Sequence, residues 1–188
     1  MDNGKRLPVC KAVLHFNTKK DEEVLVKVGV SAVDIAGARK NVESEIPEWD
    51  FDKVRKDART AWNNYLSKID ITTSDKEDKT IFYTALYHTA ISPNLFTDAD
   101  GRYLGMDLEV HQGDTINPLY TVFSLWDTFR ALHPLMTIID PNLNNQFINS
   151  LIRKHQEGGI YPMWDLASNY TGTMIGYCLL YTSDAADE

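Results

Sequence analysis

Cysteine, long apolar runs and positive charge are all scarce in this sequence of 188 residues. The two cysteines, Cys10 and Cys178, lie far apart and indicate no disulfide framework. No apolar run reaches the length of a membrane-spanning helix, so no such segment is expected. The 27 acidic residues outnumber the 19 basic ones and give a formal net charge of −8. This charge argues against a surface for nucleic acid or an anionic membrane and favours a neutral or small-molecule partner.

Several chemical motifs are missing as well. The sequence contains no phosphate-binding glycine loop, no nucleophile elbow and no His-Glu-x-x-His element. Its five histidines show no metal-ligand spacing. The acidic stretch Thr97–Gly101 fails the spacing of a calcium loop, because Phe96 would occupy the first ligand position, and it favours a turn instead.

What the sequence does contain is a change of apolar period at about residue 31. Before it, two runs of alternating apolar residues joined by the polar stretch Asn17–Asp21 predict a β-hairpin. After it, a period of 3.6 residues predicts successive helices. They are expected at about Ser31–Glu45, Phe51–Ile69 with Asp50 as N-cap, Asp78–Ile91, Leu119–Ile139 and Asn142–Glu157. A switch from strands to helices is typical of two domains.

The stretch Ser124–Leu135, SLWDTFRALHPL, places Asp127 and Arg130 in an otherwise apolar helix. A helix that is apolar all round is buried, so these two charges are expected to be buried. Buried charges are costly unless they are paired and hydrogen-bonded. The residues alone therefore leave two interpretations open, a structural salt bridge and recognition of a polar substrate. Trp126 beside them favours a sugar, whose C–H face packs on an indole while charged groups bind its hydroxyls.

Trp164 lies in a second distinctive stretch, Gly158–Tyr177, just after a predicted helix end. Packing in the core beside Pro162 and contact with a ligand are equally open roles for this indole. Asp165 follows it and repeats the Trp-Asp dipeptide of residues 126–127, which is a weak signal by itself.

The last eleven residues, CLLYTSDAADE, match the translation of a transposase-end adapter used in sequencing libraries. Residues 178–188 are therefore interpreted as an artefactual tail and left out of the fold prediction. The rest of the chain is expected to be a piece of a longer protein.

Four stretches together resemble glycoside hydrolase family 92, the calcium-dependent exo-acting α-mannosidases. In chain order they are EVLVKVGVSAVDIAGARKNVESEIPEWDFDKV, TIFYTALYHTAISPNLFTDADGRYLGMD, YTVFSLWDTFRALHPLMTIIDP and GGIYPMWDLASNYTGTMIGY. They occur in the order of the family and cover much of the chain before Cys178. At the position of Cys178 the family pattern ordinarily has a histidine, so the sequence departs from the family there.

The resemblance implies a β-sandwich followed by an (α/α)6 barrel. The chain is then expected to be mainly α-helical with an N-terminal β-hairpin. Residues 1–31 would be the closing strands of the sandwich, residues 32–50 a linker with a short helix, and residues 51–177 the first part of the catalytic barrel.

The resemblance also implies an inverting, exo-acting enzyme that hydrolyses terminal α-linked mannose from glycans. Such enzymes use a carboxylic acid and a carboxylate base roughly 6.5–9.5 Å apart, and a bound calcium contacts the sugar hydroxyls. No stretch of this sequence matches the motifs that carry the acid, the base or the calcium ligands. No catalytic or metal-binding residue is therefore assigned, and the isolated chain is expected to be inactive and prone to aggregate.

Four residues are carried over as substrate-binding candidates. Trp126, Asp127 and Arg130 match the barrel-helix motif WDTFR. Asp127 would accept hydrogen bonds from mannose hydroxyls, and Arg130 would orient Asp127 or contact a hydroxyl itself. Trp164 would line the same pocket.

Two other functions remain open at this point. The chain could belong to another (α/α)6-barrel glycosidase or phosphorylase, or it could be a non-catalytic carbohydrate-binding piece. Family resemblance suggests an exported protein, periplasmic or on the cell surface of a bacterium.

Overall fold

The computed structural model describes residues 11–174, and over this range the chain forms six helices and six short strands. The predicted tail, residues 178–188, lies outside the described residues. The helices are α1 (Ile35–Glu45), α2 (Phe51–Leu66), α3 (Lys76–His88), α4 (Leu125–Thr128), α5 (Leu132–Ile139) and α6 (Pro141–Gly158). The strands are β1 (Asn94–Leu95), β2 (Arg102–Leu104), β3 (Val110–Gln112), β4 (Tyr120–Thr121), β5 (Asp165–Leu166) and β6 (Asn169–Tyr170).

The strands pair antiparallel in three separate two-stranded ribbons. β1 pairs with β4, β2 with β3, and β5 with β6. Two helix pairs are in contact, α2 with α3 and α5 with α6. The regular structure of the described residues is therefore mostly helical, as predicted, and the strands are short segments of two or three residues.

Local capping signals set the ends of the long helices. Asp50 caps α2 by accepting a hydrogen bond from Lys53 N at 2.9 Å, which confirms the predicted N-cap. Asp140 caps α6, Pro141 occupies its first turn, and Gly159 ends it with φ of 79°. α6 therefore confirms the predicted fifth helix almost residue for residue.

The predicted β-hairpin before residue 31 is wrong. Residues 11–30 contain no strand, although Lys20 and Asp21 form a turn within the predicted polar stretch. The turn is closed by a hydrogen bond from Glu22 N to Lys19 O at 3.2 Å. A two-stranded ribbon gains too little from its own pairing to persist without neighbouring strands or a helix beneath it.

The predicted helix Leu119–Ile139, with a kink or break expected at Pro134, is also wrong in its first residues and in the position of the break. Its first residues form β4, which pairs with β1, and the remainder divides into α4 and α5. The backbone amide of Tyr120 donates to Ser150 Oγ at 3.0 Å, so a side chain of α6 replaces a helical acceptor. Pro134 falls at the third position of α5, where a missing N–H costs no helical hydrogen bond.

The apolar core lies where β4, α5 and α6 meet. Phe147 of α6 is its centre, because its ring contacts Tyr120, Phe123 and His133 edge to face, with centroid distances of 5.0, 5.7 and 6.0 Å. The other fully buried apolar side chains nearby are Leu119 and Met136. Burial lowers the pKa of His133, so this ring is held in its neutral form against Phe147.

The turn Asp98–Gly101, which the sequence favours over a calcium loop, binds α1 to the rest of the chain. Buried Asp98 accepts from Ser31 Oγ at 2.6 Å and from Asn41 Nδ2 at 2.8 Å. Gly101 N closes the turn on Asp98 O, and its φ of 85° favours glycine. Asp98 is therefore occupied by polar partners from the α1 region.

Among residues 11–174, no helix combines the length and the apolar composition needed to cross a membrane.

We expect Gly37→Ala to lower the free energy of unfolding by about 1–3 kcal/mol. Gly37 is the one buried residue of α1, and a Cβ there would overlap Asp98 Oδ2 and lie 2.8 Å from Ser31 Oγ. Asp98 cannot move aside without losing its two hydrogen bonds. Thermal and urea unfolding would measure the change.

Gly158→Ala is the matched control for that substitution. It also adds a Cβ to a helical glycine, but the nearest atom is Met106 Cβ at 3.0 Å, a tight contact that a shift of a few tenths of an ångström relieves. Its loss of free energy of unfolding should be smaller than that of Gly37→Ala, because the contact is less severe and alanine is the better helix former. Equal losses in both variants would contradict the packing explanation.

Candidate functional site

The four candidate residues lie on two neighbouring segments of the chain. Trp126 and Asp127 belong to α4, and Arg130 lies two residues after its end. Trp164 lies in the connection between α6 and β5. The two tryptophans are 38 positions apart in the sequence.

Trp126 and Trp164 are in contact. Their ring centroids lie 5.4 Å apart and their planes meet at 73°, an edge-to-face arrangement. Both side chains are only partly buried, so apolar ring surface remains available to a ligand. The structure thus places the two predicted sugar-contacting tryptophans in one aromatic pair.

Asp127 and Arg130 differ from the sequence expectation. Both are exposed, so the expectation that they are buried is wrong. They form no salt bridge with each other among the described residues, so the structural salt bridge that the sequence left open is not formed. The Arg130 guanidinium instead lies over the Phe129 ring, 5.7 Å from its centroid.

The buried ion pair of this region is formed by residues that sequence reasoning missed. Lys154 Nζ of α6 lies 2.9 Å from Asp165 Oδ2, and the side chains are 1% and 0% exposed. Apart from this ion pair, the Lys154 ammonium makes no hydrogen bond within the described residues, and it lies 6.0 Å from the centroid of the Phe96 ring.

The Asp165 carboxylate binds the chain segment that leads into α4. Its Oδ2 accepts a hydrogen bond from Thr121 Oγ1 at 2.6 Å, and its Oδ1 accepts one from Phe123 N at 3.2 Å. A backbone hydrogen bond joins the same two segments, from Leu125 N to Met163 O at 3.2 Å. Thr121 Oγ1 also lies within hydrogen-bond distance of Ala167 O, at 3.2 Å, so four hydrogen-bond contacts join the segment before Trp126 to the segment around Trp164.

A signal for the missed pair is present in the sequence of α6. The buried residues of this helix are Phe147, Ser150 and Lys154, which lie on one face at helical spacing. A lysine in phase with a buried phenylalanine requires a buried anionic partner. In the sequence, Asp165 is distinguished only by the tryptophan before it, and spacing does not identify Lys154 as its partner.

No group of three or more His, Cys, Asp or Glu side chains able to hold a metal ion occurs among residues 11–174. The two carboxylates of the acidic turn have other partners. Asp98 binds Ser31 and Asn41, while Asp100 forms ion pairs with Lys40 and Arg102. The Lys40 ammonium lowers the pKa of Asp100 to about 2. These residues do not fit a calcium site.

An apolar cavity of about 320 Å³ lies elsewhere, between α2 and α6. Trp62, Tyr65 and Phe147 are among its lining residues, and none of the four candidate residues lines it. The candidate site is therefore the exposed surface around the tryptophan pair, not this cavity.

Residues 37–181 match the family model described as the glycosyl hydrolase family 92 catalytic domain. The chain is also similar to a solved structure of a family 92 α-mannosidase from Bacteroides thetaiotaomicron, with 36% identity and a TM-score of 0.75 over 80% of this chain and 20% of that one. A second solved structure of that enzyme, in complex with mannoimidazole, has a TM-score of 0.73 at the same identity and coverage.

Two further relatives agree with these. A family 92 inverting mannosidase from Bacteroides thetaiotaomicron is 32% identical, with a TM-score of 0.72 over 78% of this chain and 20% of that one. An uncharacterized secreted glycosidase of Arthroderma benhamiae is 35% identical over 105 residues, which are 48% of this chain and 14% of that protein. The chain thus spans about a fifth of the solved relatives and less of the curated one.

We expect Lys154→Met to lower the free energy of unfolding by about 3–5 kcal/mol, because it leaves the buried Asp165 carboxylate without its counter-charge. Methionine keeps most of the aliphatic volume, so packing is little changed. Urea unfolding would measure the loss. Lys154→Met/Asp165→Asn should be more stable than Lys154→Met alone, since no unpaired buried charge remains.

Lys53→Met is the control for removing a lysine from an ion pair. Lys53 Nζ lies 2.9 Å from Asp57 Oδ2 in α2, but both side chains are more than half exposed. Solvent screens this pair, so no measurable loss is expected. A Lys154→Met variant as stable as Lys53→Met would contradict the importance of the buried pair.

Proposed function

The chain belongs to glycosyl hydrolase family 92, and from this we propose that its parent protein is an inverting, exo-acting α-mannosidase. Its substrate would be a glycan that carries terminal α-linked mannose. The observation that carries the proposal is the match of residues 37–181 to the catalytic domain of the family. Structural similarity to two mannosidases of that family, one of them described as inverting, supports the reaction and its stereochemistry.

The tryptophan pair supports a sugar substrate. Sugars present flat C–H faces that pack on indole rings, and Trp126 and Trp164 both keep part of their ring surface exposed. A family member that these residues resemble in fold has been solved with mannoimidazole bound. We assign the two indoles to the apolar side of the mannose site.

Asp127 and Arg130 would supply the polar side of that site. Both side chains are exposed beside Trp126, and Asp127 forms neither a salt bridge nor a side-chain hydrogen bond within the described residues. Its carboxylate oxygens are therefore free to accept hydrogen bonds from sugar hydroxyls. Arg130, three positions along the chain, would bind a hydroxyl or fix the Asp127 carboxylate.

The acid, the base and the calcium ion of the proposed reaction are not assigned to residues of this chain. In an inverting glycosidase the acid protonates the leaving oxygen while the base activates a water on the opposite face of the ring. Calcium would be bound by other parts of the parent protein, since residues 11–174 offer no cluster for it. Similarity to a secreted glycosidase supports export of the parent protein.

The complete protein should release mannose from an α-linked mannose disaccharide, and removal of calcium by a chelator should abolish the release. Proton NMR during the first turnovers should show β-mannose, because inversion converts an α-linkage into a β-configured product. α-Mannose as the first product would contradict the inverting mechanism. Failure to act on any α-mannoside would contradict the proposed function.

Asp127→Asn in the complete protein should lower kcat/KM about 10- to 100-fold, which corresponds to weakening a hydrogen bond to a charged group. The melting temperature should stay unchanged, because the Asp127 side chain has no partner among the described residues. Asp78→Asn is the matched control, since Asp78 is also exposed in the first turn of its helix. A lowered melting temperature with intact turnover would instead indicate a structural role for Asp127.

A further inference from the structure

Asp165 lies one residue after Trp164, yet its carboxylate binds the segment that precedes Trp126. Its Oδ1 accepts a hydrogen bond from Phe123 N, and its Oδ2 accepts one from Thr121 Oγ1. Lys154 Nζ, on α6, neutralises the charge of the carboxylate. One fully buried side chain thus connects the backbones that carry the two indoles.

The residue between those two donors is strained. Val122 has φ of 64°, in the left-handed region that β-branched residues avoid. Such a conformation persists only where the surrounding contacts impose it. The hydrogen bonds from Thr121 and Phe123 to Asp165 flank Val122 on both sides and supply those contacts.

Trp164 is fixed on both sides as well. The preceding residue, Met163, accepts a hydrogen bond from Leu125 N at 3.2 Å, and the following residue is Asp165 itself. Its own carbonyl oxygen accepts from Thr171 Oγ1 at 2.9 Å and from Thr171 N at 3.2 Å. The backbone of Trp164 is therefore held relative to the first residue of α4.

We propose that Asp165, neutralised by Lys154, is a positioning residue that sets the distance and angle between Trp126 and Trp164. It does so by imposing the strained turn at Val122 that leads into α4. The consequence for substrate binding rests on the proposed function, whereas the geometry of the indole pair does not.

Asp165→Asn tests the proposal, because asparagine keeps the shape of the side chain but removes the charge and presents an NH2 group to one of the donors. Two indoles in edge contact give an exciton couplet in far-ultraviolet circular dichroism, isolated as the difference between the wild type and Trp164→Phe. In the complete protein, Asp165→Asn should lose this couplet. A couplet of wild-type size in the folded variant overturns the proposal.

Asp98→Asn is the matched control. Asp98 is also a buried aspartate whose carboxylate accepts two hydrogen bonds, but its donors, the side chains of Ser31 and Asn41, belong to the α1 region. It should lower the melting temperature and leave the couplet unchanged. Loss of the couplet in both variants would mean that any destabilisation separates the indoles, and would overturn a specific role for Asp165.

Val122→Gly/Asp165→Asn separates positioning from general stability. Glycine adopts φ of 64° without strain, so the turn should form with less help from the carboxylate. The double variant should regain part of the couplet that Asp165→Asn loses. Absence of any recovery contradicts the role assigned to the strained turn.

Thr121→Val covers the case in which Asp165→Asn does not fold, because it removes one donor and keeps the side-chain volume. It should weaken the couplet without abolishing it, and an unchanged couplet would count against the proposal. For substrate, Thr121→Val should raise KM about three- to tenfold and change kcat less, since the indoles bind the sugar without reacting. If the complete wild-type protein has no mannosidase activity, the proposed function is disproved. The positioning role of Asp165 is decided separately, by the exciton couplet.

Discussion

Burial of one charge pair organises the part of the molecule that carries the candidate site. Removing an ammonium and a carboxylate from water is costly, and the cost is offset only when the charges meet and the remaining acceptors are filled. Asp165 meets this condition with Lys154, Thr121 and the amide of Phe123. Since these partners come from α6 and from the continuous stretch of β4 and the turn after it, satisfying one carboxylate brings both segments against the one that carries Asp165.

The candidate site combines a rigid interior with an accessible surface. The ion pair and the aromatic core around Phe147 lie beneath the segment that leads into α4, while Trp126, Asp127 and Arg130 face outward or remain partly open. Buried groups fix the backbone, and exposed groups stay free to contact a ligand. This separation explains why the charged residues that looked most costly from sequence are those with no internal partner.

Local signals in the sequence predicted the helices that depend on them. Asp50 and Asp140 act as caps and Gly159 as a terminator, and each needs only its own neighbours in sequence. The segment from Leu119 onward was misjudged because its apolar pattern resembles a helix while its hydrogen-bond partners come from Ser150 and Asp165. The tryptophan pair was expected in one pocket from family resemblance alone, and its role in binding stays a prediction. The cost of burying a charge applies to Lys154, which is buried on α6, and not to Asp127, which is exposed.

The Asp165 contacts also bear on when this region can take shape as the chain is synthesised. The hydrogen bonds from Thr121 and Phe123 span 44 and 42 positions of sequence. During translation the N-terminal part of a chain is made first. The turn at Val122 therefore lacks the carboxylate of Asp165 until all of α5 and α6 has been synthesised. Any factor that shields exposed apolar residues of the nascent chain would act during that interval.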